Sequence, residues 1–196
     1  MTWNAFARNN ENSLLLPSPT LAQGYAREFE ALFGGQKEGL GQPVAFALEG
    51  VEGVAYFSPR GGRLAREALL KRLSEAQREV LVAAFVLTDR EVLEALLQAR
   101  RRGAEVKVLL ETRNLGTSRE EALLEEGLEV RQDANPYTMH HKVMLLDGTY
   151  VVTGSYNFSV RAHEVNNENL LVLKSPSLAE RYRKEVLRLW EAGSPL

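Results

Sequence analysis

An α/β fold, with a mixed and partly parallel central sheet flanked by helices, is what this sequence predicts. Three observations carry that prediction. Short apolar runs at 80–87 (VLVAAFVL) and 106–110 alternate with amphipathic stretches of helical period, the pattern of strand–helix–strand units. Two apolar or β-branched runs, 143–146 and 150–153, flank Asp147-Gly148, a favoured pair for a two-residue hairpin turn, so antiparallel strands join the parallel ones. A hydrophobic content of 44% over 196 residues is enough for one sizeable core.

The chain opens on an internal repeat. Residues 9–33 align without gaps on residues 166–190 at a constant offset of 157, with 13 of 25 positions identical. Each copy reads as a strand, then Ser-Pro, then an amphipathic helix. Ser18-Pro19 and Ser175-Pro176 place proline where a helix begins and its missing N–H costs nothing. Leu21, Tyr25, Phe29 and Leu32 recur at helical spacing in the first copy, as do Leu178, Tyr182, Val186 and Leu189 in the second, and both stripes are expected to face a core. A partner-binding helix is the alternative, and it has more weight for the N-terminal copy.

Residues 34–43 (GGQKEGLGQP) form a glycine-rich linker. A strand or hairpin is predicted over 46–58, a helix over 62–76, a strand over 80–87 and a helix over 89–102 capped by Asp89. The strand 106–110, helix 118–126 and strand 128–132 follow, then the hairpin and a strand over 166–173. Arg100, Arg101 and Arg102 end the second helix, where positive charge suits the helix dipole; that reading is preferred over a phosphate contact.

Composition narrows the function classes. The absence of cysteine rules out disulfides and thiolate metal sites and fits a reducing compartment. With no signal-like start and no apolar segment approaching 18 residues, a soluble cytoplasmic protein without stable membrane insertion is expected. A net charge of −2 leaves no global positive field, so any nucleic acid would have to be held in a local cleft. The excess of arginine over lysine and the short loops suggest a heat-loving source, although codon bias alone explains such an excess.

The chemistry concentrates in residues 140–157, which carry the spacing H-x-K-x4-D-x6-G-S-x-N. With Asp147 and Gly148 as turn residues, His140 would lie opposite Ser155 and Lys142 opposite Thr153, roughly 5 Å apart at Cβ. A nucleophile, a cation and the neutral polar groups Ser155 and Asn157 would then converge. Asp147 and His141 have the other parity. Asp147 therefore braces the turn or nearby backbone on this reading, and His141 is a packed or surface residue. Each residue alone is usually structural; the whole spacing arises by chance in such a chain on the order of once in several hundred thousand.

The run TMHHKVMLLDGTYVVTGSYNFS, continued by NNENLLVL, resembles the active-site signature of the phospholipase D superfamily, the HKD phosphodiesterases. It is also similar to their bacterial nuclease-like branch, in which YFSP (Tyr56 to Pro59 here) opens the catalytic domain. The resemblance implies an α/β/α sandwich, with an HKD domain over 44–196 and the tail of a preceding HKD repeat over 1–33. It implies two-step phosphodiester cleavage through a phosphohistidine at His140, with Lys142, Asp147 and Glu168 in the catalytic set. Ser155 and Asn157 would bind the non-bridging oxygens, and no metal or other cofactor would be needed. Glu168, in NNEN, is the expected partner of His140 Nδ1, because that strand directly follows the hairpin and the family keeps its orienting glutamate there. Two HKD motifs are needed per site, so either a homodimer with two His140 side chains face to face or a missing first HKD domain is expected. His163 lies outside the motif and is expected at the surface. DNA or RNA is the expected substrate; a phospholipid substrate and an inactive half-enzyme are the alternatives.

Overall fold

The computed structural model describes residues 2–118 and 120–196. Its elements follow the predicted alternation: α1 (Trp3–Ala7), α2 (Pro19–Phe33), β1 (Val44–Leu48), β2 (Val51–Phe57), α3 (Gly62–Glu75), β3 (Glu79–Ala84) and α4 (Arg90–Arg101). Then come β4 (Glu105–Leu110), a 3-10 turn (Thr112–Asn114), α5 (Glu120–Glu125), β5 (Glu129–Gln132), β6 (Lys142–Leu146) and β7 (Tyr150–Gly154). The chain closes with α6 (Val160–Glu164), β8 (Asn169–Lys174), α7 (Pro176–Ala192) and β9 (Ser194–Pro195). The helix expected over 118–126 begins at Glu120; Arg119 lies outside the described residues, as does Met1. The five-residue α1 and α6 and the two-residue β9 are too short to leave a periodic signal, and no prediction covered them.

Among the described residues, nine strands form one open sheet in the order β1-β2-β8-β7-β6-β3-β4-β5-β9. β3, β4 and β5 run parallel, and the remaining pairs are antiparallel. Alternation along each strand sends one set of side chains to each face. Val80, Val82, Met144 and Val152 pack under α3, α4, α5 and α6, whereas Leu81, Ala83, Val143, Val151 and Leu173 pack under α2 and α7. The sheet is thus covered on both faces, which explains why 80–84 reads as an unbroken apolar run.

Local chemistry sets the element ends. Ser18 Oγ accepts from Leu21 N–H (3.2 Å) and Ser175 Oγ from Leu178 N–H (3.4 Å), each with proline in the first turn. The Asp89 carboxylate caps α4 through Glu91 N–H (3.0 Å) and pairs with Arg66. Arg101 and Arg102 sit at the opposite end of α4. Arg101 pairs with Glu94 and Glu126, and Arg102 donates to the Leu73 carbonyl (2.7 Å).

Three expectations change. Residues 12–17 of the first repeat copy are not in a strand: only Asn10 makes a bridge, to Met139, and no neighbouring strand extends the pairing. On α2 the buried residues are Leu21, Gly24, Glu28 and Ala31, while Phe29 is exposed. Close contact of Gly24 with Val44, where even a Cβ would come within 2.5 Å, turns the helix away from its predicted stripe. His163 is buried rather than at the surface, with Nδ1 3.8 Å from the Asp89 carboxylate, because α6 tucks it against α3 and α4.

Candidate active site

Every residue of the spacing pattern except Asp147 meets at one end of the sheet. β6 and β8 begin there and β2, β3 and β7 end there, so side chains from strand termini on both faces surround one cleft of about 540 Å³. His140, Lys142, Thr153, Ser155, Asn157, Glu168 and Asn169 line it, together with Glu11, Asn12 and Leu14 from the N-terminal repeat copy. A larger groove of about 1000 Å³ runs between the β1–β2 hairpin and α3, away from the histidine, and offers Lys71, Arg72 and Lys174 but no nucleophile.

The convergence does not arise as the hairpin arithmetic predicted. Asp147 (φ 53°) and Gly148 (φ 62°) do take left-handed conformations in the turn, and Thr149 N–H closes on Leu146 O at 3.0 Å. Pairing then resumes one residue late, with Leu146 opposite Tyr150 and Leu145 opposite Val151, because Thr149 is an extra residue whose carbonyl accepts from Ser175 N–H. Lys142 therefore shares a face with Met144, while Thr153 shares one with Val143 and Val151. Lys142 and Thr153 meet because both stand at strand ends, where the two faces open onto the same cleft.

Asp147 lies at the far end of the hairpin. Its carboxylate accepts from the backbone N–H groups of Gln77 (3.0 Å), Arg78 (2.8 Å) and Glu79 (3.0 Å). Burial opposes ionisation, but these bonds outweigh it and hold the carboxyl below its usual range. It fastens the turn to the start of β3 and touches nothing in the cleft.

His140 is held by Glu11. Nδ1 lies 3.0 and 3.1 Å from the two Glu11 carboxylate oxygens, and Phe85 stands edge-on to the imidazole with ring centroids 4.7 Å apart. Backbone pairing fixes the contact: His140 N–H donates to Asn10 O (3.0 Å) and Asn10 N–H to Thr138 O (2.9 Å). With Nδ1–H donating to the carboxylate, Nε2 keeps its lone pair. Glu168, the expected partner, lines the cleft but accepts from Asn166 Nδ2 (3.1 Å). β8 stands two strands from β6 with β7 between, whereas the Asn10–Met139 bridge carries Glu11 directly alongside His140.

Lys142 is buried, with Nζ donating to the carbonyl of His140, two residues earlier, at 2.8 Å, and 4.6 Å from the centroid of the Phe85 ring. Burial dominates its titration and pulls its pKa down to about 8, against the opposing pull of Glu11 and Glu168. Ser155 Oγ accepts from Asn169 N–H (3.0 Å), and Asn157 Oδ1 is buried without a partner among the described residues. Glycine is required at 154 (φ 142°), directly before Ser155, since a Cβ would come within 2.2 Å of Asn169 O.

Four residues that sequence reasoning missed complete the arrangement. Phe85 directly follows β3, inside a run that reads only as core. Glu111, buried at the end of β4, accepts from Met139 N–H at 2.6 Å, and its pKa is raised chiefly by burial. Asn12 accepts from His141 Nδ1 (3.0 Å) and donates to Thr153 Oγ1 (3.1 Å). Glu11 did carry a signal, because it occupies Glu168's place in the repeat.

With this geometry in place, the comparisons with known proteins settle the family. Residues 69–190 match the family model described as "Cardiolipin synthase, PLD-like domain". The chain belongs to the phospholipase D superfamily. It is 36% identical over 129 residues to the mitochondrial cardiolipin hydrolase of Xenopus laevis, covering 65% of this chain and 61% of that protein. Over 128 residues it is 33% identical to a phospholipase D of Rickettsia typhi, covering 64% and 62%. The matches thus span about six-tenths of the curated relatives' length. Among solved structures it is similar to Nuc of Salmonella typhimurium, a phospholipase D family member, at 30% identity and a TM-score of 0.69 over 74% of this chain and 98% of that one. NucT from Helicobacter pylori, 21% identical with a TM-score of 0.68, shares the fold. Among the described residues of this phospholipase D superfamily member, no helix is long and apolar enough to cross a membrane.

Proposed function

We propose that this chain is one half of a phosphodiesterase site in which His140 is the nucleophile and a second HKD motif supplies the other histidine. The observation that carries the proposal is the Glu11–His140–Lys142 constellation: an imidazole oriented through Nδ1, with a buried cation alongside, in an open cleft. His140 Nε2 forms a bond to phosphorus as the bond from phosphorus to the leaving oxygen breaks, and the second histidine delivers a proton to that oxygen. The same group then takes a proton from water, which attacks phosphorus and releases His140. Lys142, with Ser155 and Asn157, meets the non-bridging oxygens as their charge grows. Glu168, which stands in the repeat where Glu11 stands, is the carboxylate available to orient the second histidine.

Nucleic acid is the preferred substrate. Arg8 lies 4.9 Å over the Tyr137 ring, and Arg113 donates to Thr138 Oγ1 at 2.7 Å, so exposed cations and an aromatic face adjoin the segment leading to His140. Such surfaces suit a phosphate backbone and stacked bases. A lipid phosphodiester is the second reading, favoured by the names of the curated relatives.

A diester whose leaving group needs no proton isolates the His140 half-reaction. In EDTA, the p-nitrophenyl ester of thymidine 5′-phosphate should release up to one equivalent of nitrophenolate per chain and leave an acid-labile phosphohistidine. His140→Ala should abolish both, and p-nitrophenylphosphocholine should react more slowly. An unchanged burst from His140→Ala would overturn the mechanism, and preference for the choline ester would favour the lipid reading.

A further inference from the structure

A second recess adjoins the catalytic cleft. It encloses about 180 Å³ between Tyr25, Phe29 and Leu32 of α2, Phe57 and Ser58 where β2 ends, and Asn167. Glu168 and Asn169 line both hollows, so one short wall separates them. Phosphodiester cleavage as derived above leaves the aromatic side chains of this recess unused.

Its walls suit a flat, uncharged ring. Tyr25 stands edge-on to Phe57 with ring centroids 4.9 Å apart. Phe29 is 64% exposed, and Phe33 braces it from outside the recess, the two rings stacked at 5.7 Å with planes 19° apart. Aromatic faces left in water gain free energy when another apolar surface covers them. The volume lies below the roughly 300–1,000 Å³ of sites for drug-sized ligands, which leaves room for one ring and not for a long acyl chain. Among the described residues no cation lines the recess, and the Glu28 carboxylate there already accepts from the N–H groups of Leu40 (3.0 Å) and Gly41 (3.1 Å). The neutral part of a substrate, and not its phosphate, therefore belongs here.

Asn169 fixes the recess relative to the phosphate position. Its Oδ1 accepts from Tyr25 Oη (3.0 Å) and its Nδ2 donates to Ser155 Oγ (3.3 Å), so a single side chain spans from the aromatic wall to a group that meets the non-bridging oxygens. In a nucleotide the sugar makes the same span, from phosphate to base. We propose that this recess is a nucleobase subsite, in which the base flanking the scissile phosphate stacks on Phe29 and Asn167 meets its polar edge. The Asn167 amide is exposed, makes no hydrogen bond among the described residues, and offers both a donor and an acceptor. This inference rests on the nucleic-acid reading above and deepens it: only an unpaired base can enter, so the segment bound at the cleft is single-stranded.

The test uses the full chain carrying His140→Ala, which binds without cleaving, and two probes: the thymidine dinucleotide TpT and the same sugar diester without its bases. Titration followed by NMR gives both affinities. TpT should bind at least about five-fold more tightly than the abasic diester, the gain expected of one stacked base, with its thymine resonances moved upfield by the rings. Adding Phe29→Ala should erase that advantage while leaving the abasic affinity and the melting temperature unchanged, since this side chain packs mostly against solvent. Phe29→Trp should restore it. Equal affinity for the two probes, no detectable binding of TpT, or an advantage that survives Phe29→Ala overturns the proposal. Preference for the choline ester in the nitrophenolate burst would instead remove the nucleic-acid reading itself. A burst that prefers the thymidine ester, together with TpT binding indifferent to Phe29, would remove this subsite alone.

Discussion

Lys142→Met should make the protein more stable while disabling its site. Holding an ammonium group at a buried position takes the Lys142 pKa from 10.5 to about 8, a drop corresponding to about 3 kcal/mol of native-state destabilisation at neutral pH. Methionine keeps the length and packing of the stem, but His140 O loses the bond it accepts from Nζ, at a cost of about 1 kcal/mol. The net gain of about 2 kcal/mol corresponds to roughly 4–8 °C in melting temperature for a chain of this size. The pH dependence isolates the cause. Between about pH 8 and 10.5 the unfolded lysine still holds its proton and the folded one has released it, so this group's contribution to stability rises with pH across that window. The melting advantage of the variant should therefore be full at pH 7 and shrink towards pH 10. Calorimetry or fluorescence melts of both proteins from pH 7 to 10 measure this. A variant that melts at or below the wild-type temperature at pH 7, with a gap that does not change with pH, would refute the assignment of Lys142 as a buried cation held for function.

Further outcomes follow from the same geometry. Glu11→Gln should slow the nitrophenolate burst on the order of 10²-fold or more by releasing the His140 tautomer, while Glu168→Gln leaves the burst of the chain alone unchanged; stopped-flow release separates the two. His141 is buried, and its pKa is lowered to about 4, mainly by burial, so its neutral form stabilises the fold above pH 6.5, and about 3 kcal/mol is lost as pH falls from there through 4. Denaturant titrations at pH 7 and pH 4 should show that loss in the wild type and much less of it in His141→Gln. Gly154→Ala combines a φ of 142° with a Cβ 2.2 Å from Asn169 O, and should cost about 3 kcal/mol or more in the urea midpoint.

Much of the fold was legible because strand and helix periods alternate cleanly between residues 44 and 132, and because Ser-Pro and Asp89 mark helix starts that the structure caps as expected. The site residues were legible as a spacing pattern, but their mutual placement was not. A one-residue shift at Thr149 exchanges which side chains face each other, and nothing in DGTY announces it. Of the stripe Leu21, Tyr25, Phe29 and Leu32, the first is buried and Tyr25 packs half-buried on the core, whereas Phe29 is exposed. The pattern tells that a face seeks a partner, whereas the contact at Gly24 decides which face meets β1.

The choice between Glu11 and Glu168 shows how connectivity along the chain misleads about which groups meet in space. Glu168 follows the hairpin in the chain and belongs to the same sheet as His140, so a reading based on connectivity assigns it to that histidine. Yet β7 separates β8 from β6, and the carboxylate stays with Asn166 on its own side of the cleft. The Tyr25–Asn169 and Asn12–Tyr182 bonds likewise join the N-terminal copy to the C-terminal one, and Glu11 precedes Asn12 by one residue. Orientation of the His140 imidazole and docking of the N-terminal copy are therefore one interaction. Displacing residues 9–12 from the cleft would release His140 Nδ1, His141 Nδ1 and Tyr182 together, so loss of the N-terminal copy should cost catalysis and packing in the same step.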